Sequence, residues 1–508
     1  MKLRGPRKHG LRLRLSGRLR RGGQEGGYII ILVMLVLMVV GMMATTLLAS
    51  ISVNQQHVSR DRAFTQSLAV AEAGLNQFLW MVADGKSTEV NEFAIYGDDD
   101  DDPHVETFTL ADKYDPTKIA GTYTIQVTPP TPSDSRVAVT VTGSAESPVD
   151  VPRTVSAHIG RPSFSEYVLL VDDQVYIGGP VTRVWHGKTH SNEGIRIETA
   201  NITDTVSCAR ATYRYDSDGQ THPGVWSQGP PDGVPTGDAS RGLWQYPVPP
   251  VDFGTVRSDF ERLSSLATGG HNLPRVPRSG GSAGIGWDIK ILPNEQYQVG
   301  RVTKELEGRN YSGWGSITVV GLTTRDYPNK GVIYVNDDVW IEGTNVEGRL
   351  TIASSGQLNN PATTTNIHVV DDLMYAAKDG SAVIGLIAQN NVEIPMYAPR
   401  SKSVSQTTNM EIDAALIAQQ GWERVNRDEN SMGPKRGKLT FYGSVSSYGT
   451  PSRATTSGSN YCGFKDGENT YDFFLLHTPP PYFPTIGSYQ ILDWRELPSF
   501  KGVPATAD

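Results

Sequence analysis

Two histidines are the residues of this sequence whose type and spacing come closest to a metal site. His186 and His190 lie four positions apart, and on a helix that spacing would put both rings on one face, as some zinc sites require. The neighbouring Gly187, Asn192 and Gly194 favour strand and turn instead. On a strand the two side chains would point along one face about 13 Å apart, so we predict no metal ion there.

Three pairs of adjacent carboxylates form a second candidate, because glycoside hydrolysis uses two carboxyl groups. The pairs are Asp172/Asp173, Asp337/Asp338 and Asp371/Asp372. Each pair lies between two short strand-like runs, and Asx residues suit such corners because they tolerate left-handed backbone. Turn formation therefore explains the pairs without catalysis. Since the sequence also lacks G-x-S-x-G, H-E-x-x-H and P-loop motifs, we expect a non-enzymatic protein that binds no cofactor.

An acidic run and four tryptophans are the remaining candidates for ligand binding. The run extends unbroken from Asp98 to Asp102. Calcium sites need oxygen ligands spaced around a turn, so a solvated loop is the favoured interpretation. Exposed indole rings could stack on sugars, but burial in a β core is the favoured use. The tryptophans are Trp226, Trp244, Trp314 and Trp422.

The sequence contains two cysteines, Cys208 and Cys462. Outside the cytoplasm they could form one disulfide that closes a very long loop. Two buried thiols are the alternative. A disulfide requires the two Cα atoms to lie within about 7 Å, a distance that the sequence does not determine, so both alternatives stay open.

The elements that must position these groups begin with one long helix. No charged residue occurs from Tyr28 to Ile51, and an apolar helix of that length can span a bilayer. Beyond it, apolar residues at four-three spacing predict that the helix continues with one buried face. This stripe consists of Phe64, Leu68, Ala71, Leu75 and Phe78.

A basic leader precedes the helix. Residues 1–27 contain nine lysines and arginines and one acid, an excess that holds this end in the cytoplasm and sends the rest outward. A cleaved signal peptide has a shorter apolar core, and a plain signal anchor is the simplest alternative. Without the leader the formal charge falls from −8 to −16. The exported part therefore has no electrostatic reason to bind nucleic acid.

The leader and helix resemble the N-terminus of PilX-type pilus assembly proteins, a class of minor type IV pilins. The residues that carry the resemblance are Gly26-Gly27 before the apolar run, RDRAF at 60–64 and AEAGL at 71–75. The resemblance implies that a prepilin peptidase cuts after Gly27 and leaves Tyr28 as the first residue. It also implies a single pass through the cytoplasmic (inner) membrane, with the N-terminus cytoplasmic and the bulk outside or in a surface pilus.

The same resemblance implies the partners and the position of the subunit. The partners would be other pilins, the pilus assembly platform and the prepilin peptidase. Major pilins carry glutamate at the fifth mature position, where this chain has Leu32. That departure is typical of tip-type minor pilins and argues against a shaft subunit.

Two β regions are predicted after the helix (28–85), so the fold class is α+β, mainly β. Residues 86–162 contain three alternating runs, which predict a small antiparallel sheet laid on the stripe. The runs are Tyr123–Val127, Arg136–Thr142 and Arg153–Ile159. Residues 163–500 are rich in glycine, as in long PilX-type proteins, and one helix, Asp252–Leu266, interrupts their β pattern. Residues 501–508 form a tail.

A weak internal repeat indicates how residues 163–500 fold. Each copy reads as strand, Asx corner and strand, which predicts a β-solenoid-like domain; a large β-sandwich is the alternative. The copies are Leu170–Gly178, Tyr334–Gly343, His368–Tyr375 and Leu386–Ile394.

Three functions are compatible with these features. The first is a tip or priming subunit of a pilus, and the second is a filament-displayed adhesin for an unknown glycan or protein. The third, a surface-anchored polysaccharide enzyme, is disfavoured because a filament-competent helix is a costly way to tether an enzyme.

Overall fold

The structure is a computed structural model that describes most of the chain. The described residues are 26–84, 104–128, 136–147, 151–178, 183–198, 200–227, 242–310, 313–356, 364–427, 433–457, 460–476, 478–486 and 489–498. The leader before Gly26, the acidic run from Asp98 to Asp102 and the predicted tail 501–508 lie outside these ranges. The fold is mainly β with one long N-terminal helix, as predicted.

Two α-helices and a long series of strands make up the described part. The helices are α1 (Gly26–Asp84) and α2 (Thr255–Leu266). The strands are β1 (His104–Ala111), β2 (Ile119–Thr128), β3 (Val137–Ala145), β4 (Arg153–Gly160), β5 (Leu169–Val171), β6 (Val175–Ile177), β7 (Arg183–His186), β8 (Thr189–Ser191), β9 (Ile195–Ile197), β10 (Ala200–Ile202), β11 (Val206–Cys208), β12 (Thr212–Arg214), β13 (Thr221–Pro223), β14 (Val225–Trp226), β15 (Trp244–Gln245), β16 (Asn272–Leu273), β17 (Gly286–Leu292), β18 (Gln296–Asn310), β19 (Gly313–Asp326), β20 (Val332–Val335), β21 (Asp338–Val346), β22 (Arg349–Ser354), β23 (Ile367–Tyr375), β24 (Val383–Ala388), β25 (Val392–Ile394), β26 (Met410–Ala418), β27 (Glu423–Val425), β28 (Lys435–Ser447), β29 (Ala454–Ser457), β30 (Asn460–Thr470) and β31 (Gln490–Leu497).

Helix α1 has two halves with different surroundings. From Ile29 to Val58 every residue is exposed, although most are apolar as far as Ile51. By length and composition this part can cross a membrane. From Ala63 onward one face of the same helix is buried. A single continuous helix therefore joins a bare apolar half to a packed half.

The packed half of α1 lies on an antiparallel sheet, as the stripe predicted. Ala71, Leu75 and Phe78 are buried and Leu68 is partly buried. Phe64 is the exception, since it is 47% exposed. In an α-helix, residues spaced by seven rotate about 20° around the helix axis per heptad. Near Phe64 the buried face of the helix therefore contains Ala63 instead.

Helix and sheet approach each other closely at one glycine. Gly143 of β3 faces the helix, and a Cβ atom there would lie 2.4 Å from the backbone nitrogen of Ala71. Nearby, the amide of Ala145 donates to Ser67 Oγ at 3.0 Å. Any side chain at position 143 would therefore push the helix off the sheet.

The sheet on α1, here called the head sheet, has five strands in the order β1-β2-β3-β4-β31. The three predicted runs lie in β2, β3 and β4. The fifth strand corrects the predicted domain boundary at residue 500, because β31 pairs with β4 and belongs to the head sheet. Local sequence patterns could not identify the residues of β4 that β31 contacts. Glu496 forms an ion pair with Arg153, and Asp493 accepts from His158 Nδ1 at 2.8 Å.

Residues 163–486 are therefore an insertion into the head sheet, here called the stacked domain. Two adjacent segments connect the stacked domain to the head sheet. Ser163 bridges Thr485, and the amides of Phe164 and Ile486 donate to Pro484 and Pro162 carbonyls at 3.1 and 2.7 Å. The insertion is thus tied to the head at both of its ends.

Three ladders of parallel strands run through the stacked domain. One ladder has the order β16-β20-β22-β24-β26-β28-β5-β8-β11-β15. A second has the order β17-β21-β23-β25-β27, and a third runs β28-β30-β7-β10. The parallel pairing of these ladders differs from the sandwich alternative, which would need two antiparallel sheets.

The first strand of the stacked domain, β5, lies in the middle of the first ladder. Strand β5 pairs with β28, which comes far later in the sequence, and β8, β11 and β15 extend the ladder away from it. Helix α2 then leads to β16 at the opposite end, with Phe260 and Leu263 buried in the core. The predicted helix Asp252–Leu266 is thus present, beginning at Thr255.

Three of the four predicted repeat copies are strand–corner–strand units. They correspond to β5/β6, β20/β21 and β24/β25. The fourth, His368–Tyr375, is wrong, because it lies within the single strand β23. Asp371 and Asp372 are buried in that strand rather than at a corner.

Candidate ligand-binding cleft

A cleft with a volume of about 930 Å³ lies in the stacked domain. Strands β21 and β23 form its floor. One wall is the β18–β19 hairpin, here called the hairpin, and the other is the 395–404 segment. Its charged and aromatic lining side chains are Lys290, Trp314, Glu342, Asp371, Asp372, Tyr397, Arg400 and Lys402.

Ion pairs cross the floor at one end of the cleft. Glu342 accepts from Lys290 Nζ at 3.0 Å and from Arg400 Nε at 2.5 Å. Arg400 also donates through Nη1 to Asp288 at 3.0 Å. Burial raises the pKa of Asp288. Burial acts the same way on Glu342, but hydrogen bonds and charges from Arg400 and Lys290 outweigh it, so the pKa of Glu342 is lowered.

At the other end, two adjacent carboxylates hold the 395–404 segment. Asp371 accepts from the amide and the hydroxyl of Ser401 at 2.6 and 2.9 Å. Asp372 accepts from Lys402 Nζ at 2.5 Å and from the amide of Glu411 at 2.9 Å. Both carboxylates are thus engaged, an arrangement that fixes the wall and its cation.

A fully buried arginine supports the same segment from behind. Arg436 Nε donates to the Ala398 carbonyl at 2.7 Å, and Nη2 donates to the Pro395 and Met396 carbonyls at 2.7 and 2.9 Å. Burial lowers the pKa of Arg436 to about 10. Three carbonyls held by one planar group fix the backbone path that leads to Arg400.

The opposite wall carries an aromatic side chain. Trp314 lies near the start of β19 and lines the cleft. The hairpin is seated by Ile317, which packs with Trp340 and Tyr397, and Tyr397 donates to Glu305 at 2.7 Å. Gly315 adopts φ +133°, and a Cβ there would lie 2.0 Å from the Leu306 carbonyl oxygen, so glycine is required beside Trp314.

Every cation that lines the cleft is paired with a carboxylate. Lys290 and Arg400 pair with Glu342 and Asp288, and Lys402 pairs with Asp372. The remaining lining carboxylate, Asp371, accepts from Ser401. Hydroxyl groups of Ser316, Thr344, Ser401 and Ser403 add uncharged donors and acceptors. Paired polar groups beside an aromatic ring can orient a small ligand.

The two histidines considered for metal binding do not come together on one face. His186 belongs to β7 and lies 3.3 Å from Thr203 Oγ1. His190 is buried on β8, 2.9 Å from Ser207 Oγ and 3.2 Å from Asn192 Oδ1, and burial lowers its pKa. Within the described ranges no group of three His, Cys, Asp or Glu side chains is arranged to hold a metal ion.

Both cysteines lie in described strands and are buried thiols, and no disulfide joins them there. Cys208 Sγ lies 3.1 Å from the Glu193 carbonyl oxygen, and burial raises its pKa. Cys462 lies on β30, in a different ladder, and pairs in register with Thr455 of β29. The structure therefore corresponds to the thiol alternative rather than to the Cys208–Cys462 disulfide.

The predicted burial of the tryptophans holds for some of them only. Trp226 is buried and Trp244 partly buried, whereas Trp422 is 41% exposed and Trp314 lines the cleft. The cations of the cleft were not anticipated at all. They are spread over more than a hundred positions of sequence without a motif, so spacing offered no signal.

Comparisons with known proteins add little. No sequence-family profile matches the chain, and no curated protein matches it. Among solved structures, the crystal structure of competence-associated pilin ComZ from Thermus thermophilus matches at 12% identity. The match covers 86% of this chain and 97% of that chain, with a TM-score of 0.29. A likeness at this TM-score carries no argument about fold or function.

Proposed function

We propose that this chain is a minor, pilin-like, non-enzymatic subunit of a type IV pilus or a related filament or secretion system. The observation that carries the proposal is helix α1. Its first half is apolar and bare, while its second half packs on an antiparallel sheet. Such a helix can hold a subunit in the membrane and later pack against neighbouring helices in a filament core.

The proposed position is the tip, or a priming complex, rather than the shaft. In the family that the N-terminus resembles, the glutamate at the fifth position neutralises the amine of a neighbouring subunit. Leu32 offers no carboxylate, and a buried amine without a partner is costly. The stacked domain points the same way, because an insertion of residues 163–486 in every subunit would crowd a shaft.

Processing and export complete the proposal. Cleavage after Gly27 by a prepilin peptidase would leave Tyr28 as the first residue, with the leader on the cytoplasmic side and the head and stacked domain outside. The partners would then be other pilins and the assembly platform.

Intact-mass analysis of membrane-extracted protein tests the processing. In cells with an active prepilin peptidase we expect a chain that starts at Tyr28. Gly27→Leu is expected to leave the leader attached, whereas the matched change Gly22→Leu inside the leader is not. Wild-type protein that retains residues 1–27 would reduce the chain to a signal anchor.

Immunogold labelling of sheared filaments with antibodies against the stacked domain tests the position. We expect label at filament ends, or, for a priming subunit, processed protein in the membrane and none in filaments. Label repeated along the shaft would overturn the proposal.

A second candidate function, a displayed adhesin, is favoured by one specific observation, the cleft. Its walls are built by long-range contacts of Arg436 and Asp371 rather than left as an accidental gap between loops.

A further inference from the structure

We propose that the cleft binds an uncharged saccharide. The inference concerns the stacked domain alone and does not depend on whether the chain enters a filament. It rests on the ion pairing, the aromatic wall and the preformed shape of the cleft.

The ion pairing of the cleft argues for an uncharged ligand. Lys290 and Arg400 are committed to Glu342 and Asp288, and Lys402 is committed to Asp372. An anionic ligand would have to displace these carboxylates or lie beside them. A cationic ligand would have to displace the three cations, or the Ser401 donors that Asp371 accepts from. Like charges in a partly desolvated site cost free energy, so a neutral molecule fits best.

The lining supplies what a sugar needs. A pyranose ring has a face of C–H groups that can pack on an indole, and Trp314 places such a ring on the hairpin wall. Vicinal hydroxyls accept from cations and donate to carboxylates, and Lys402 with Asp372 offers both kinds of group at 2.5 Å from each other. An ion pair of this kind, which has no net charge itself, can hydrogen-bond to sugar hydroxyls.

The shape is set before any ligand arrives. Arg436 and Asp371 hold the 395–404 segment, and Gly315 with Ile317 seats the hairpin. A volume of about 930 Å³ lies at the upper end of the range for small-molecule sites, so several sugar units rather than one would fill it. Preorganisation of this kind lowers the entropic cost of binding.

A printed array of neutral and acidic oligosaccharides, probed with the full chain in detergent micelles, tests the proposal. We expect binding to neutral oligosaccharides, with an affinity that stays nearly constant as salt is raised, because screening acts on charges. Trp314→Ala should weaken the best neutral ligand by about tenfold or more. Trp422→Ala, which removes an exposed indole outside the cleft, should leave the affinity unchanged.

A second variant guards against misfolding of the hairpin. Lys290→Met removes a cleft cation whose partner Glu342 keeps Arg400, so the fold should be retained while affinity falls severalfold. Salt-sensitive binding to acidic glycans only, no binding to any glycan, or neutral binding that survives both Trp314→Ala and Lys290→Met would overturn the proposal.

Discussion

Substitution of one leucine tests whether α1 completes the core of the head. Leu75 is 2% exposed and lies in a cluster with Phe78 of the helix and Val141 of β3. Replacing it with alanine removes apolar contacts at the helix–sheet interface without adding a charge. The loss should therefore be felt in the head sheet and not in the stacked domain.

The expected magnitude follows from burial. Leucine-to-alanine changes at fully buried sites cost about 2–5 kcal/mol. Each 1.4 kcal/mol changes an equilibrium tenfold, so local opening of the head sheet should become roughly 30-fold or more frequent. The close contact at Gly143 leaves the helix little freedom to collapse into the space, which favours the upper part of that range.

Hydrogen exchange measured by mass spectrometry reads this out strand by strand. We expect amides in β2, β3 and β4 of Leu75→Ala to exchange roughly 30-fold faster or more in detergent-solubilised full-length protein, while those in β22 and β24 do not change. Trp80→Ala is the matched control, because Trp80 lies on the same helix but is 62% exposed. Its effect should stay within about 0.5 kcal/mol.

Unchanged exchange in β2 to β4 would refute the reasoning. It would mean that the buried face of α1 does not stabilise the sheet, and a contact with another filament subunit would become the better assignment for that face.

Two other predictions concern the stacked domain. Asp413 accepts from Lys378 Nζ and the Tyr375 amide, and burial raises its pKa from 3.8 to about 6. The native state thus binds this proton more tightly than the unfolded chain does, so the stabilisation is full below pH 3.8 and is lost as pH rises through about 6. Urea titrations should show wild type gaining on the order of 2 kcal/mol between about pH 6.5 and 4 relative to Asp413→Asn; a pH-independent difference would contradict the assignment. Arg436→Met leaves three buried carbonyls without their donor, and each costs about 1–3 kcal/mol, so we expect a lower unfolding midpoint and weaker saccharide binding. Arg427→Met on an exposed arginine is its control, and equal midpoints for the two variants would show that the 395–404 segment is held otherwise.

Local patterns determined the parts of this fold whose partners lie close by in sequence. The helix followed from a run without charge and a stripe near the helical period, because burial of one face is encoded residue by residue. The runs in β2, β3 and β4 followed from alternation for the same reason. Three Asx corners were recognised because their turn chemistry is local. The Asp371/Asp372 corner was misread, since an Asp pair inside a strand looks the same as one at a turn until its hydrogen-bond donors are known.

Tertiary structure alone decided which strands pair and which charges meet. Alternation within a strand indicates that one face is buried, but it does not indicate which strand is the neighbour. Nothing in Gln490–Leu497 therefore predicted that this strand pairs with β4 in the head sheet. The order of strands within the ladders, with β5 beside β28, is likewise not determined by local sequence, because several strand edges offer equivalent hydrogen-bonding partners. The cleft is the extreme case, because Asp288, Glu342 and Arg400 meet only after three separate segments have folded. The position of a charged residue in the sequence does not identify its ion-pair partner. The partner is determined by the folded backbone, which brings the two charged groups within about 4 Å of each other.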